Sequence, residues 1–243
     1  MTVASKPAHA AASVRRWIFA APGTHIYLLI LLITTETVRS LHPTLASQLL
    51  RQASTNLTEM GRSSGRVLLL SAFLLDDGHW LPHALLLSAV YVPLERWAGS
   101  VRWLTVIAAG HIGATLVTTV GIWADVHSNR SAVALTHAID VGVSYGLFAG
   151  AAFLTFGFGQ RLLRLGARVA LLGVVGYPLV RFHTFSDAGH IAAVAIGGAC
   201  YAVLEPRLRK QPKLRMGDLR ERTLGATAIP FAGGSRSDTG PSA

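Results

Sequence analysis

The glycine-flanked serine in Gly142-Val143-Ser144-Tyr145-Gly146, together with the histidine in Gly189-His190-Ile191-Ala192-Ala193, has the residue types that acyl transfer needs. A serine hydroxyl is a weak nucleophile until a base takes its proton. Histidine has a suitable pKa for that, and the oxyanion that follows needs donors already in place. Two further histidines, His79 and His83, stand four residues apart and could supply such donors. With His190 they also make the three-nitrogen set that zinc accepts, although no acidic or thiolate fourth ligand accompanies them. The string G-x-S-x-G occurs at the nucleophile elbow of soluble α/β sheets as well, but no strand-turn-helix can be drawn around Ser144. Taken alone, Ser144 among Gly142, Gly146 and Gly150 would be a small-residue packing face.

Composition sets what could bring these groups together. Of 243 residues, 51% are apolar and 14% charged, and mean hydropathy is +0.44. A soluble domain carries about 25% charged residues, which argues against an ordinary cytosolic enzyme, and the hydrophobicity argues against disorder. The 34 charged side chains are unevenly spread: 20 lie in the 183 residues from Gly23 to Glu205 and 14 in the 60 residues of the two ends. A helix needs about 20 mostly apolar residues to cross the hydrocarbon. Six stretches are candidates: Gly23 to Val38, Trp80 to Leu94, Trp103 to Trp123, Ala138 to Phe158, Leu165 to Val180 with Arg168 inside it, and Ala188 to Leu204. Arg15 and Arg16 precede the first as they would a secretory signal, but no small-residue cleavage pattern follows, so a retained anchor is expected.

Basic residues favour the cytoplasmic side. An inner N-terminus puts 16 of the 22 Lys and Arg inside and six outside: Arg39, Arg51, Arg62, Arg66, Arg130 and Arg181. Both termini are therefore predicted to be cytoplasmic, with the chain in the plasma membrane. Spans two, four and six then all run inward, so His79 and His83, Ser144, and His190 share one depth in the outer bilayer. The connection of about 40 residues after the first span is long for a compact bundle. Val67 to Leu75 within it is too short to cross, and Asp76-Asp77-Gly78 breaks it, which predicts a partly re-entrant segment at the outer interface.

The net charge of +10 lacks the aromatic-studded basic patch of a nucleic-acid binder, so no nucleic acid is expected as partner. Residues Arg207 to Arg222 read instead as a juxtamembrane segment on anionic lipid, and beyond Thr223 the composition is that of disordered chain. The expected organisation is a cytoplasmic segment 1–22, a membrane domain 23–205 and a basic cytoplasmic tail 206–243. Cys200, the single cysteine, excludes an intramolecular disulfide or a thiolate-rich metal site.

On these residues the chain resembles the rhomboid family of intramembrane serine proteases, over about Leu49 to Leu204. In that family the second span carries H-x-x-x-N, then a glutamate and a glycine; here His79-Trp80-Leu81-Pro82-His83 is followed by Glu95 and Gly99. The family's tryptophan-arginine pair falls on Gly65-Arg66. Its G-x-S-G falls on Gly142-Val143-Ser144-Tyr145, with tyrosine for the second glycine. Its A-H-x-x-G-x-x-x-G becomes Gly189-His190, Ala193 and Gly197, small at every required position.

The resemblance implies an all-α membrane protein, a six-transmembrane-helix rhomboid-like bundle with a long interfacial first loop. It implies a serine protease that cleaves transmembrane segments of substrate membrane proteins inside the lipid bilayer, with no cofactor or metal. Ser144 would be the nucleophile and His190 the base and then the acid. His79 and the Ser144 amide would help form the oxyanion site, with His83 where the family has asparagine. Arg66, Glu95, Gly142, Gly146, Gly189 and Gly197 would be structural positions of these motifs. The departures at Gly65, Tyr145 and His83 leave open a relative that binds transmembrane helices without cutting them. Outside the motifs, His111 is expected to bond between helices, Asp187 and Asp140 to cap helices, and Glu95 with Arg96 to hold the inner loop.

Overall fold

Each apolar stretch of the sequence contains a helix in the computed structural model, which describes residues 17–128, 141, 143–182, 184–208 and 214. The helices are α1 (Pro22–Ser40), α2 (Pro43–Gln52), α3 (Leu57–Ser71), α4 (Trp80–Ala98), α5 (Ser100–Ser128), α6 (Val143–Gly157), α7 (Arg161–Phe182) and α8 (Phe185–Leu208). Among the described residues the fold is all-helical, and the extended pairing is an isolated bridge between Phe158 and Leu214. Among the described residues, three helices are long and apolar enough to cross a membrane: α5 over Ser100–Ser128, α7 over Arg161–Arg181 and α8 over Phe185–Glu205. Helix α5 has 29 residues; at about 1.5 Å per residue it is roughly 43 Å long, more than the hydrocarbon thickness of about 30 Å. Asp140 and most of residues 206–243 lie outside the described residues, as does the N-terminal segment to residue 16.

The connection between α1 and α4, expected as a partly re-entrant segment, contains two helices. Their start signals are local. Pro43 follows the α2 N-cap His42, whose ring accepts from the Thr44 N–H, and Asn56 at the α3 N-cap accepts from the Glu59 N–H at 2.9 Å. Asn56 also donates to the Arg51 carbonyl at the end of α2. One amide side chain therefore closes one helix and opens the next. Helix α3 is tied to α5 by His111, whose Nε2 donates to the Leu68 carbonyl at 2.8 Å with the Ser71 hydroxyl 3.3 Å away. That is the interhelical bond expected of His111.

At the other end of the bundle Glu95 is buried, 2% exposed. Its carboxylate accepts from the Gly23 N–H (2.9 Å), the Thr24 N–H and hydroxyl (2.7 Å each) and the Ser100 hydroxyl (2.6 Å). The first amides of a helix lack partners within it and carry the positive end of its dipole. Ala21 at the α1 N-cap offers no side-chain cap, so Glu95 of α4 does the capping and pins α4 to α1. A Cβ on Gly23 would meet Glu95 and Trp103 at under 3 Å, so this approach requires glycine.

Helices α5, α6 and α8 form the centre. Thr118 against Gly189 and Gly113 against Ile196 show that α5 and α8 run in opposite directions. Ser144 with His190, Ala149 with Gly197 and Phe156 with Tyr201 advance together, so α6 and α8 run the same way. Gly197 allows that closeness, because a Cβ there would strike the Ala149 backbone. Most of α6 is buried, whereas α7 leaves most of its surface uncovered.

Candidate active site

Two parallel helices that start at the same level bring their first turns together. Ser144 is the second residue of α6, and His190 lies one turn inside α8. The hydroxyl Oγ and His190 Nε2 are 3.0 Å apart, within hydrogen-bond reach. With the ring proton on Nδ1, Ser144 donates to Nε2, which is the arrangement a general base needs. The Ser144 N–H is among the first-turn amides that have no carbonyl partner inside their helix, so an N–H and the positive end of α6 lie beside its hydroxyl.

The imidazole is held by its surroundings. Tyr145 meets it edge-on at 5.4 Å between centroids, and Phe148 lies at 4.7 Å. Asp187 does not supply a third member of a triad. Its carboxylate accepts from the Thr184 N–H (3.0 Å) and hydroxyl (2.7 Å), while the Asp187 N–H donates back to the Thr184 hydroxyl at 3.3 Å. This reciprocal cap fixes the start of α8 and so the height of His190. Asp187 thus caps the helix, as the sequence suggested.

Ser144 lines a cavity of 210 Å³ whose other polar residues are His83 and Asp76, and whose walls include Leu86, Leu147 and Phe148. His83 Nδ1 donates to the His79 carbonyl at 2.8 Å and stands 3.8 Å from Asp77 Oδ2. A neutral ring that donates from Nδ1 presents only a lone pair at Nε2. His79 is the N-cap residue of α4. Its ring is 75% exposed and faces Asp77 at 4.0 Å, and it is not part of the cavity wall. Among the described residues no three His, Cys, Asp or Glu side chains are grouped to hold a metal; the zinc arrangement of His79, His83 and His190 is not formed.

A family model described as rhomboid-like protein matches residues 16–210. The chain belongs to the rhomboid-like family. No curated protein and no solved structure matches it. With this family and its apolar helices, the chain is a membrane protein.

Within the rhomboid-like frame, the motif residues fall into two sets. Ser144, His190 and His83 come together, and Gly146, Gly189 and Gly197 sit at close helix approaches around them. Glu95 caps α1 far along α4, and Arg66 is exposed on α3 beside a second cavity with Thr37 and Gln52. Gly142 lies outside the described residues.

Phe148 was not singled out by sequence. Its spacing of i+4 from Ser144 places it on the same helix face, which is the signal that could have found it. Tyr145, read only as a departure from the family, has a structural counterpart: its buried ring packs where a Cβ on residue 189 would stand, 2.6 Å away. The chain has glycine there where the family has alanine, so the two departures compensate each other. Gly189→Ala is expected to lower stability by about 1 to 3 kcal/mol through overpacking, and Tyr145→Ala is expected to offset part of that loss. Unfolding of the two single variants and the double variant in detergent measures the coupling; additive effects would disprove it.

Proposed function

We propose that this rhomboid-like protein is an intramembrane serine protease that cleaves transmembrane segments of other membrane proteins. The observation that carries the reading is the 3.0 Å contact between Ser144 and His190, at the wall of a cavity and at the starts of two parallel helices. His190 takes the hydroxyl proton as Ser144 attacks a carbonyl, then delivers it to the leaving amine; water reverses the sequence to free the enzyme. The Ser144 amide faces the oxyanion, and His83 joins it when its ring carries both protons. The direct experiment is labelling with an alkyl fluorophosphonate, expected for the wild type and absent in Ser144→Ala; an unlabelled wild type would remove the reading.

The architecture that goes with this function has six spans, α1 and α4 to α8, with both termini cytoplasmic in the plasma membrane, α2 and α3 in the outer interface, and the basic tail on anionic lipid. The charge split of 16 to 6 supports it. Single cysteines introduced at Gln48 and Ser237, in a Cys200→Ala background, should react with impermeant maleimide from opposite sides. Reaction from the same side would sink the topology.

One observation favours a second reading, a protein that binds transmembrane helices without cutting them. His83 spends its Nδ1 proton on the His79 carbonyl and His79 turns away from the cavity, so the side-chain donors of the oxyanion site are not assembled around a neutral ring. In that reading Ser144→Ala leaves binding intact and no reporter segment is cut.

A further inference from the structure

We propose that Asp76 makes the cavity at Ser144 selective for a polypeptide segment with a lysine or arginine at the outer end of its transmembrane stretch. The proposal rests on the reading of Ser144 and His190 as the place where such segments dock. Asp76 is the acidic residue in the wall of this cavity, and it is exposed. The adjacent carboxylate is committed elsewhere: Asp77 accepts from the His79 N–H at 2.9 Å and faces the rings of both His79 and His83. Asp76 makes no hydrogen bond or ion pair among the described residues. One negative charge is thus used internally, while the other lies in the cavity wall without a partner among the described residues.

The walls suit the rest of a basic side chain. Leu75, Leu86, Leu147 and Phe148 offer an apolar surface for the aliphatic stem of lysine or arginine, and a charged head reaching the mouth would find Asp76. Opposite charges attract more strongly there than in bulk water, because the surroundings are partly apolar. Discrimination runs in both directions. A segment with an apolar side chain would cover Asp76 and strip water from an unpaired carboxylate, and an acidic one would add repulsion. Basic residues are also less frequent at the outer ends of membrane segments than at their cytoplasmic ends, so the requirement separates a smaller class of segments from the rest.

The test uses the full-length protein in zwitterionic lipid nanodiscs and four fluorescent transmembrane peptides that differ only in one outer-end residue: lysine, arginine, norleucine or glutamate. Affinity is read by energy transfer to the labelled protein, and fluorophosphonate labelling of the wild type is read separately. The lysine and arginine peptides are expected to bind about tenfold tighter than the norleucine peptide, and the glutamate peptide weakest. The preference should collapse in Asp76→Asn, reverse in Asp76→Lys, persist in Asp76→Glu, and weaken with added salt. Glu36→Gln, which removes an exposed carboxylate on α1 paired with Arg39, should leave it in place. Equal binding of the lysine and norleucine peptides to the wild type, or a preference that survives in Asp76→Asn, overturns the proposal whatever the labelling shows. A preference that depends on Asp76 in a protein that no fluorophosphonate labels upholds the selectivity and retires the cleavage chemistry. If none of the four peptides binds, the selectivity is wrong.

Discussion

Replacement of Ser144 by alanine is expected to abolish cleavage of a reporter transmembrane substrate, by about a thousandfold or more, with little change in unfolding behaviour. The rate term follows from the chemistry: without Oγ no acyl-enzyme can form, and losses from deleting a serine nucleophile reach about 10⁶-fold in well-studied hydrolases. The stability term follows from the site. Ser144 is half-buried at the first turn of α6, and its hydroxyl bonds to one group, His190 Nε2. Alanine keeps the small volume that the junction of α6 and α8 needs and removes that one contact, worth about 1 kcal/mol. Cleavage measured in proteoliposomes, with detergent unfolding in parallel, separates the two terms. Retained cleavage would show that another group is the nucleophile. Lost cleavage with a large drop in stability would show that Ser144 had been holding the helices together, and His190→Asn would then be the variant to compare.

The closeness of Ser144 and His190 was legible in the sequence because three separate signals agreed on it. Residue type gave a nucleophile and a base, the glycines around each gave close helix approach, and the bias of Lys and Arg put both at the same depth. Helix existence was legible for the same reason that a membrane solvent leaves few options: apolar runs of this length must satisfy their backbone internally. What the sequence did not disclose was where side chains turn. His79 and His83 are four apart and read as one helix face, but His79 is the cap residue itself, with φ and ψ outside the helical range, so its ring departs from the face that His83 keeps. The two helices between α1 and α4 were hidden by a similar effect. Their apolar content is interrupted by Arg51, Arg62 and Arg66, and the signals that define them are caps at His42 and Asn56 rather than a hydrophobic period. Glu95 was legible as a motif position, but its task, capping a helix more than 70 residues away in sequence, is a tertiary fact that no local pattern carries.

The geometry around His83 leads to a second large effect. Its Nδ1 proton is given to the His79 carbonyl at 2.8 Å, so a neutral ring points a lone pair, not a donor, from Nε2. An oxyanion in the cavity would meet that lone pair unfavourably. Asparagine carries an N–H in every protonation state, and one oxyanion donor is worth about a hundredfold or more in rate. His83→Asn is therefore expected to raise cleavage by about a hundredfold. Under the same conditions His83→Ala should change the rate little, because it removes a ring that was donating nothing to the reaction. Asp77, 3.8 Å from the same ring, offers the alternative. With both ring protons in place, Nδ1–H still meets the His79 carbonyl and Nε2–H donates to the oxyanion. His83→Ala then costs about a hundredfold, and Asp77→Asn reproduces the loss. The ranking of wild type, His83→Asn, His83→Ala and Asp77→Asn decides between a histidine that obstructs the oxyanion site and one that completes it.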